Sequence, residues 1–139
     1  MDEVSQSIRS VTVYCASSAT IDPSYGMVAI ELGRRIAESG RALVYGGGSV
    51  GLMGHIARST REHGGRVIGV ITERLRDAEL LDPDNHENIV VPTMRERKSI
   101  LESRGDAFIV LPGGVGTLEE FFEILVGRLL GEHNKPIFI

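Results

Sequence analysis

The sequence predicts a doubly wound α/β fold, a parallel sheet with helices on both faces. Three observations carry this. Apolar runs rich in β-formers alternate with runs of helical period along the 139 residues. Several of those apolar runs are continuous rather than alternating, the pattern of strands buried on both faces. The connections are short, so successive units read as right-handed βαβ crossovers.

The elements follow in order. MDEVSQSIRS (1–10) is acidic and has no apolar stretch of signal-peptide type, so it reads as a flexible leader. A single domain is expected over 11–139. VTVYCA (11–16) is the first strand. Tyr25, Val28, Ala29, Leu32 and Ile36 then form one stripe of a helix. ALVYG (42–46) is the second strand, and a helix is expected from about Gly51 to His63. RVIGVI (66–71) is the third strand. TERLRDAELLDPDNHE (72–87) is the longest irregular stretch, long enough to be a lid or partner-contacting loop. NIVVP (88–92) is the fourth strand, followed by a helix over Arg95 to Arg104. AFIVL (107–111) is the fifth, with a helix from Thr117 to near Gly131, and PIFI (136–139) reads as a sixth. A sheet of this class normally adds a closing helix after such a strand.

Composition narrows the function classes. Hydrophobic residues make up 42% and charged residues 24%, the balance of an ordinary globular domain with a real core. The net charge of −4, with no basic run, argues against binding nucleic acid through a basic surface. No apolar run approaches the ~18 residues of a membrane span. Cys15 is the single cysteine, so no intrachain disulfide forms and a cytoplasmic location fits. In a strand it reads as a small buried residue. His55, His63, His86 and His133 lack metal-ligand spacing and there is no C-x-x-C, so no metal is expected.

Two glycine loops mark one edge of the predicted sheet. YGGGSVGLMG (45–54) follows a strand and opens a helix; Gly46, Gly48 and Gly51 fit G-x-G-x-x-G. Glycines let the backbone approach a phosphate, and a helix N-terminus offers free N–H groups and a favourable dipole. Glu73 lies 22 residues beyond Gly51, where a dinucleotide fold places a ribose-binding acid. A tight turn that needs glycine only for packing is the plainer reading. PGGVGT (112–117) also follows a strand and opens a helix. Ligands of open α/β sheets bind at the carboxyl ends of the strands, and two such loops there point to a phosphorylated small molecule.

The helix after the second loop carries Glu119 and Glu120. Thr117 and Glu120 have capping-box spacing, which by itself would explain Glu120. At ~100° per residue, Phe121, Phe122, Leu125 and Leu129 lie within about 60° of Leu118, and this side is expected to face the sheet. Glu120 falls near ~200° with Ile124, Gly127 and Leu130, and that far side is expected to meet a second subunit. MRERKS (94–99) opens another helix at the same edge. Its Arg95, Arg97 and Lys98 are either a solvated basic turn or a grip for phosphate or carboxylate.

YGGGSVGLMG, MRERKS and PGGVGTLEE, in this order and spacing, resemble the LOG family (LONELY GUY, cytokinin riboside 5′-monophosphate phosphoribohydrolases, also described as lysine-decarboxylase-like). The resemblance runs from about Val11 to Ile139. It implies a Rossmann-like homodimer with active sites near the subunit interface. It implies hydrolysis of the N-glycosidic bond of an adenine-type nucleoside 5′-monophosphate to free base and ribose 5-phosphate, with no cofactor. The family's catalytic arginine falls on Arg97 and its catalytic glutamate on Glu120. Substrate-contacting positions fall on Glu79, Lys98, Gly114, Val115, Gly116 and Thr117. Gly46, Gly47, Gly48 and Gly113 would cradle the 5′-phosphate.

The chemistry agrees with the residues. Glycosidic cleavage passes through an oxocarbenium-like transition state that a carboxylate stabilises. Glu120 would stabilise that charge and orient water; Arg97 would hold the ribose phosphate region and fix Glu120. No residue stands out as the acid that protonates the leaving base. The chain departs from the family pattern in three places. Arg95 replaces a histidine, Val126-Gly127 replaces Thr-Trp, and members usually continue through a further segment and helix, so the chain is expected to lack the family's C-terminal end. The second departure bears on base preference. Two other readings are a non-hydrolytic carrier of nucleotide or molybdenum cofactor, and a nicotinamide-dependent oxidoreductase. The second glycine loop and the Arg97/Glu120 pair weigh against the latter.

Overall fold

A computed structural model describes residue 3, residues 7–78 and residues 80–139. The elements are β1 (Ser10–Tyr14), α1 (Pro23–Glu38), β2 (Ala42–Tyr45), α2 (Gly51–Glu62), β3 (Val67–Thr72), α3 (Glu73–Asp77), β4 (Glu87–Val91), α4 (Met94–Arg104), β5 (Ala107–Val110), α5 (Val115–Leu129) and β6 (Ile137–Phe138). The six strands form one sheet in the order β4-β3-β2-β1-β5-β6. All five pairings are parallel. The winding reverses between β1 and β5, because the chain builds outward from β1 to β4 and then crosses to the other side of β1.

Alternation within the strands sorts the core into two layers. Val11, Val13, Cys15, Leu43 and Tyr45 pack against Ala29 and Ile36 of α1 and Leu52, Ile56 and Ala57 of α2. Tyr14, Val44, Ile68, Val70, Phe108 and Val110 pack against Leu101 of α4 and Ile124 of α5. Every residue of β3 is buried, as expected of a central strand in a covered sheet.

Local chemistry sets the helix starts. Asp22 caps α1, its Oδ1 accepting from Ser24 N at 2.8 Å, and Pro23 occupies the first turn. Thr72 caps α3 and Thr93 caps α4, each through its hydroxyl oxygen at 3.2 Å. Thr12 is a buried polar residue in mid-strand; its hydroxyl donates to Leu101 O at 2.7 Å and ties α4 to β1.

Two expectations change. Residues 8–10, assigned to the leader, belong to the fold: Ile8 packs on the core, and Arg9 N and Ser10 N both donate to Asp106 Oδ2. A polar sequence hid this, because the anchoring partner lies 96 residues away. The other expected leader positions 1, 2 and 4–6 lie outside the described residues. The stretch 72–87 is less irregular than expected: it contains α3 and a bridge between Gly48 and Leu81.

Gly33 sets the contact between α1 and α2. A Cβ there would sit 2.8 Å from Ile56 O and 2.9 Å from Ser59 Cβ, neither of which can yield without moving backbone. Gly33→Ala is therefore expected to cost about 1–3 kcal/mol of stability in urea unfolding. Gly26→Ala, whose Cβ would lie 3.4 Å from the His55 ring, should be neutral or slightly stabilising.

Candidate functional site

Two helices lack a side-chain cap. α2 starts after Val50 and α5 after Gly114, and neither cap residue bonds its helix through a side chain. These are the helices that open on the two glycine loops. The expected capping box does not form, because α5 starts at Val115, two residues before Thr117. Thr117 instead packs beneath Gly113, where a Cβ would strike its hydroxyl. Both N-termini lie at the carboxyl edge of the sheet. Between them passes the loop after β1, at the point where the winding reverses. Gly51 has φ +65°, and a Cβ on it would strike Ser18 O of that loop.

A cleft of about 320 Å³ opens at this edge. Its polar lining comes from Arg97, Glu119, Glu120 and Thr117; the glycine edges are Gly46, Gly48, Gly114 and Gly116. Its apolar lining comes from Met53, Ile71, Leu75, Leu80 and Met94. The loop after β1, Cys15 to Ser18, completes it.

Arg97 is 8% exposed. Its Nε donates to Val70 O at 2.9 Å and its Nη2 to Gly46 O at 2.8 Å. The guanidinium is thus pinned to the carboxyl ends of β3 and β2. Gly46 has to be glycine here, since a Cβ would strike Arg97 Nη2. Nη1 reaches only the weak acceptor Met94 Sδ, at 3.8 Å, among the described residues. Burial lowers the Arg97 pKa and the nearby Glu120 raises it, yet a guanidinium stays charged.

Glu120 lines the same cleft, half-buried. Burial pushes its carboxyl up to about 7. Arg97 pulls it down, Glu119 pushes it up, and Lys98 and Glu123 add smaller opposing effects. Arg97 and Glu120 are not among the ion pairs of the described residues, and the Arg97 hydrogen bonds go to backbone carbonyls. Arg97 therefore acts on Glu120 through space and does not fix it by contact.

The face of α5 is the reverse of that expected. Thr117, Ile124 and Gly127 are buried, and Glu120 shares their side, toward the sheet. Leu118 (52% exposed), Phe122 (55%) and Leu129 (76%) point outward with Val126. Both sides of α5 are apolar, so periodicity could not choose between them. Ile124 turns to the sheet and joins the core with Tyr14, Phe108 and Val110, His133 covers Gly127, and Glu120 takes this side because the cleft opens there.

The other site residues divide. Gly47 (φ +81°) backs onto Ile71 and Val70, Gly113 onto Thr117, and Val115 is exposed; none of the three lines the cleft. Lys98 also stays out of it, its Nζ 2.5 Å from Glu119 Oε1 and 2.8 Å from Glu123 Oε2. Glu79 lies outside the described residues; its neighbour Leu80 lines the cleft. Arg95 is exposed, Val126 faces outward, and Gly127 is covered by His133, so none of these three residues lines the cleft. Glu73 does not line it either.

Sequence reasoning missed Glu119 and the Cys15–Ser18 loop as lining residues. Only strand order reveals the second, because it places the end of β1 at the reversal. It also missed how the first glycine loop is held. Tyr45 OH donates to Gly48 O at 2.9 Å and accepts from Asn85 Nδ2 at 3.0 Å, and Asp82 N donates to Gly47 O at 2.8 Å. Cys15 is buried and its thiol is pushed up to about 12 by that burial, so it is no thiolate nucleophile.

A family described as "Possible lysine decarboxylase" matches residues 53–139. The chain is 51% identical to the cytokinin riboside 5′-monophosphate phosphoribohydrolase of Mycobacterium tuberculosis, across 91% of this chain and 67% of that protein. It belongs to the LOG family. The protein of that name from Rhodococcoides fascians is 47% identical, across 92% of this chain and 65% of its own. The chain thus spans about two thirds of the length of these relatives. Among solved structures, the molybdenum cofactor binding protein of Rippkaea orientalis superposes with a TM-score of 0.78 at 25% identity, over 94% of this chain and 74% of that one. The doubly wound, Rossmann-like fold is therefore shared with that molybdenum cofactor binding protein. Among the described residues, no helix is long and apolar enough to cross a membrane, and no group of three or more His, Cys, Asp or Glu side chains could hold a metal.

Glu120 links the site to stability. A carboxyl whose folded-state pKa lies above its ordinary 4.5 binds its proton more tightly in the folded chain. Its favourable contribution is complete below about pH 4.5 and is lost as pH rises through about 7. Glu120→Gln should therefore be more stable than wild type at pH 8.5, by on the order of 1–3 kcal/mol, with the gain vanishing at pH 4.5. Denaturant titrations at the two pH values measure it.

Proposed function

We propose that the protein hydrolyses the N-glycosidic bond of adenine-type nucleoside 5′-monophosphates such as AMP, releasing free base and ribose 5-phosphate. The observation that carries this reading is that Arg97 and Glu120 line one cleft, beside the uncapped N-terminus of α5. The names of the family relatives support it.

The geometry supplies each requirement of the reaction. Glycine edges and bare helix amides suit the 5′-phosphate, and that remote binding positions the reacting carbon. The apolar wall of Ile71, Leu75, Leu80 and Met94 suits a purine ring and an N6 substituent. As the bond from ribose C1′ to the base breaks, positive charge builds on the ribose ring. The Glu120 carboxylate stabilises it and accepts the proton of the water that adds to C1′. The departing base takes up a proton, so the balanced reaction consumes only water. Arg97, unable to give up its charge, holds the phosphate or ribose oxygens through Nη1. No cofactor and no metal enter this scheme.

The protein is proposed to work as a cytoplasmic homodimer, with no nucleic acid or membrane as partner. The lone buried thiol of Cys15 suits a reducing compartment. The outward stripe of α5, Leu118, Phe122, Val126 and Leu129, is the apolar face that a second copy would cover. Phe122→Asp with Leu129→Asp should halve the mass found by light scattering; an unchanged mass places the interface elsewhere.

Base release is the direct test. Incubation with AMP and with isopentenyladenosine monophosphate should yield free base by chromatography. Glu120→Gln and Arg97→Ala should each lower the rate about a hundredfold or more. Because the ionised carboxylate is the working form, kcat should rise about tenfold per pH unit below about pH 7 and level off above it. Tight nucleotide binding without base release from either substrate would favour the carrier reading instead.

A further inference from the structure

Lys98 follows Arg97 on α4, so its side chain leaves the helix about 100° further round. It points not into the cleft but onto α5. Its Nζ bridges Glu119 and Glu123, one turn apart, at 2.5 and 2.8 Å. Glu120 lies between them in sequence. Glu102 of α4 lines the same small hollow as Lys98, Glu120, Glu123 and Tyr14. The groups around the Glu120 carboxyl are therefore Arg97, Lys98 and Glu102 from α4, Glu119 and Glu123 from α5, Tyr14 from β1 and Cys15 from the loop after it. Within this set only Arg97 and Lys98 are cations, and three carboxyls besides Glu120 crowd the same space.

The Lys98 side chain is 18% exposed and its partners 54% and 45%, so the pairs are open to water on one side. Such pairs add little to stability, about 0–1 kcal/mol. The arrangement matters for what it surrounds. α5 has no side-chain cap, so no capping bond fixes its first turn. We propose that Lys98 is a positioning residue: it docks the second and third turns of α5 on α4 and neutralises the carboxylates flanking Glu120, so that Glu120 meets the substrate as an anion. This role differs from the direct substrate contact expected of Lys98, and it rests on the hydrolase reading only for its kinetic consequence.

The test compares Lys98→Met and Lys98→Arg with wild type. In Lys98→Met the acidic limb of kcat against pH should move up by about one pH unit, with KM for AMP within about twofold of wild type. Lys98→Arg should restore the limb. A limb that stays in place while KM rises tenfold would overturn the proposal and make Lys98 a substrate grip. If wild type releases no base, the hydrolase reading fails by itself. The positioning role is then read from the Glu120 carboxyl by carbon-detected NMR titration. Its midpoint should rise in Lys98→Met; an unmoved midpoint would overturn the proposal.

Discussion

The burial of one guanidinium organises the carboxyl edge of this sheet. Arg97 is held by Val70 O at the end of β3 and Gly46 O at the end of β2. An unpaired charge taken out of water costs several kcal/mol, and charge-assisted bonds to two carbonyls offset part of that. These carbonyls can serve as acceptors because the β2–β3 ladder stops at Tyr45 and Gly69. They point at α4 only because the sheet is parallel and α4 crosses it at this height. Gly46 follows from the same constraint, since any side chain there would displace the guanidinium. The polar clasp of Tyr45, Asn85 and Asp82 holds the loop that carries this carbonyl.

With the cation fixed, Glu120 can lie half out of water in front of it without an ion-pair contact. The carboxyl is costly to ionise by burial and cheaper to ionise by the field of Arg97, and the balance leaves it near 7. A group poised there trades stability for reactivity. The helix that carries it is suited to the task. α5 begins on bare glycine backbone, with no side chain competing for its first amides. The helices α1, α3 and α4, which take no phosphate in the proposed scheme, each carry a side-chain cap. Capping chemistry thus separates α2 and α5, which open on the glycine loops, from the other helices of this fold.

Much of this was legible in the sequence. The strand–helix alternation gave the fold class, and all six strands lie where the apolar runs placed them, within a residue or two at the ends. The motifs around Arg97, Gly114 and Glu120 led to the cleft because each follows a strand, and the carboxyl ends of parallel strands share one edge. The misreadings have a common origin. The sheet-facing side of α5 was taken from the larger apolar stripe, but Ile124 packs on the sheet core, His133 covers Gly127, and Phe122 and Leu129 turn outward. The capping box of Thr117 and Glu120 had the right spacing and no helix end to cap. Lys98 carried the same charge as its neighbour and a different direction.

The sequence by itself determined the element types, the parallel sheet and the residue kinds at its functional edge. Those depend on local periodicity and on glycine placement, which a linear pattern records. The tertiary structure alone decided which faces meet. Strand order set the reversal between β1 and β5 and so brought the Cys15–Ser18 loop into the cleft. The 100° step between Arg97 and Lys98 sent one cation to the strand ends and the other to α5. The reason is physical: a helix with two apolar sides, or two adjacent cations, is degenerate in sequence. Only the volume left by neighbouring elements, and the partners those elements present, lift the degeneracy.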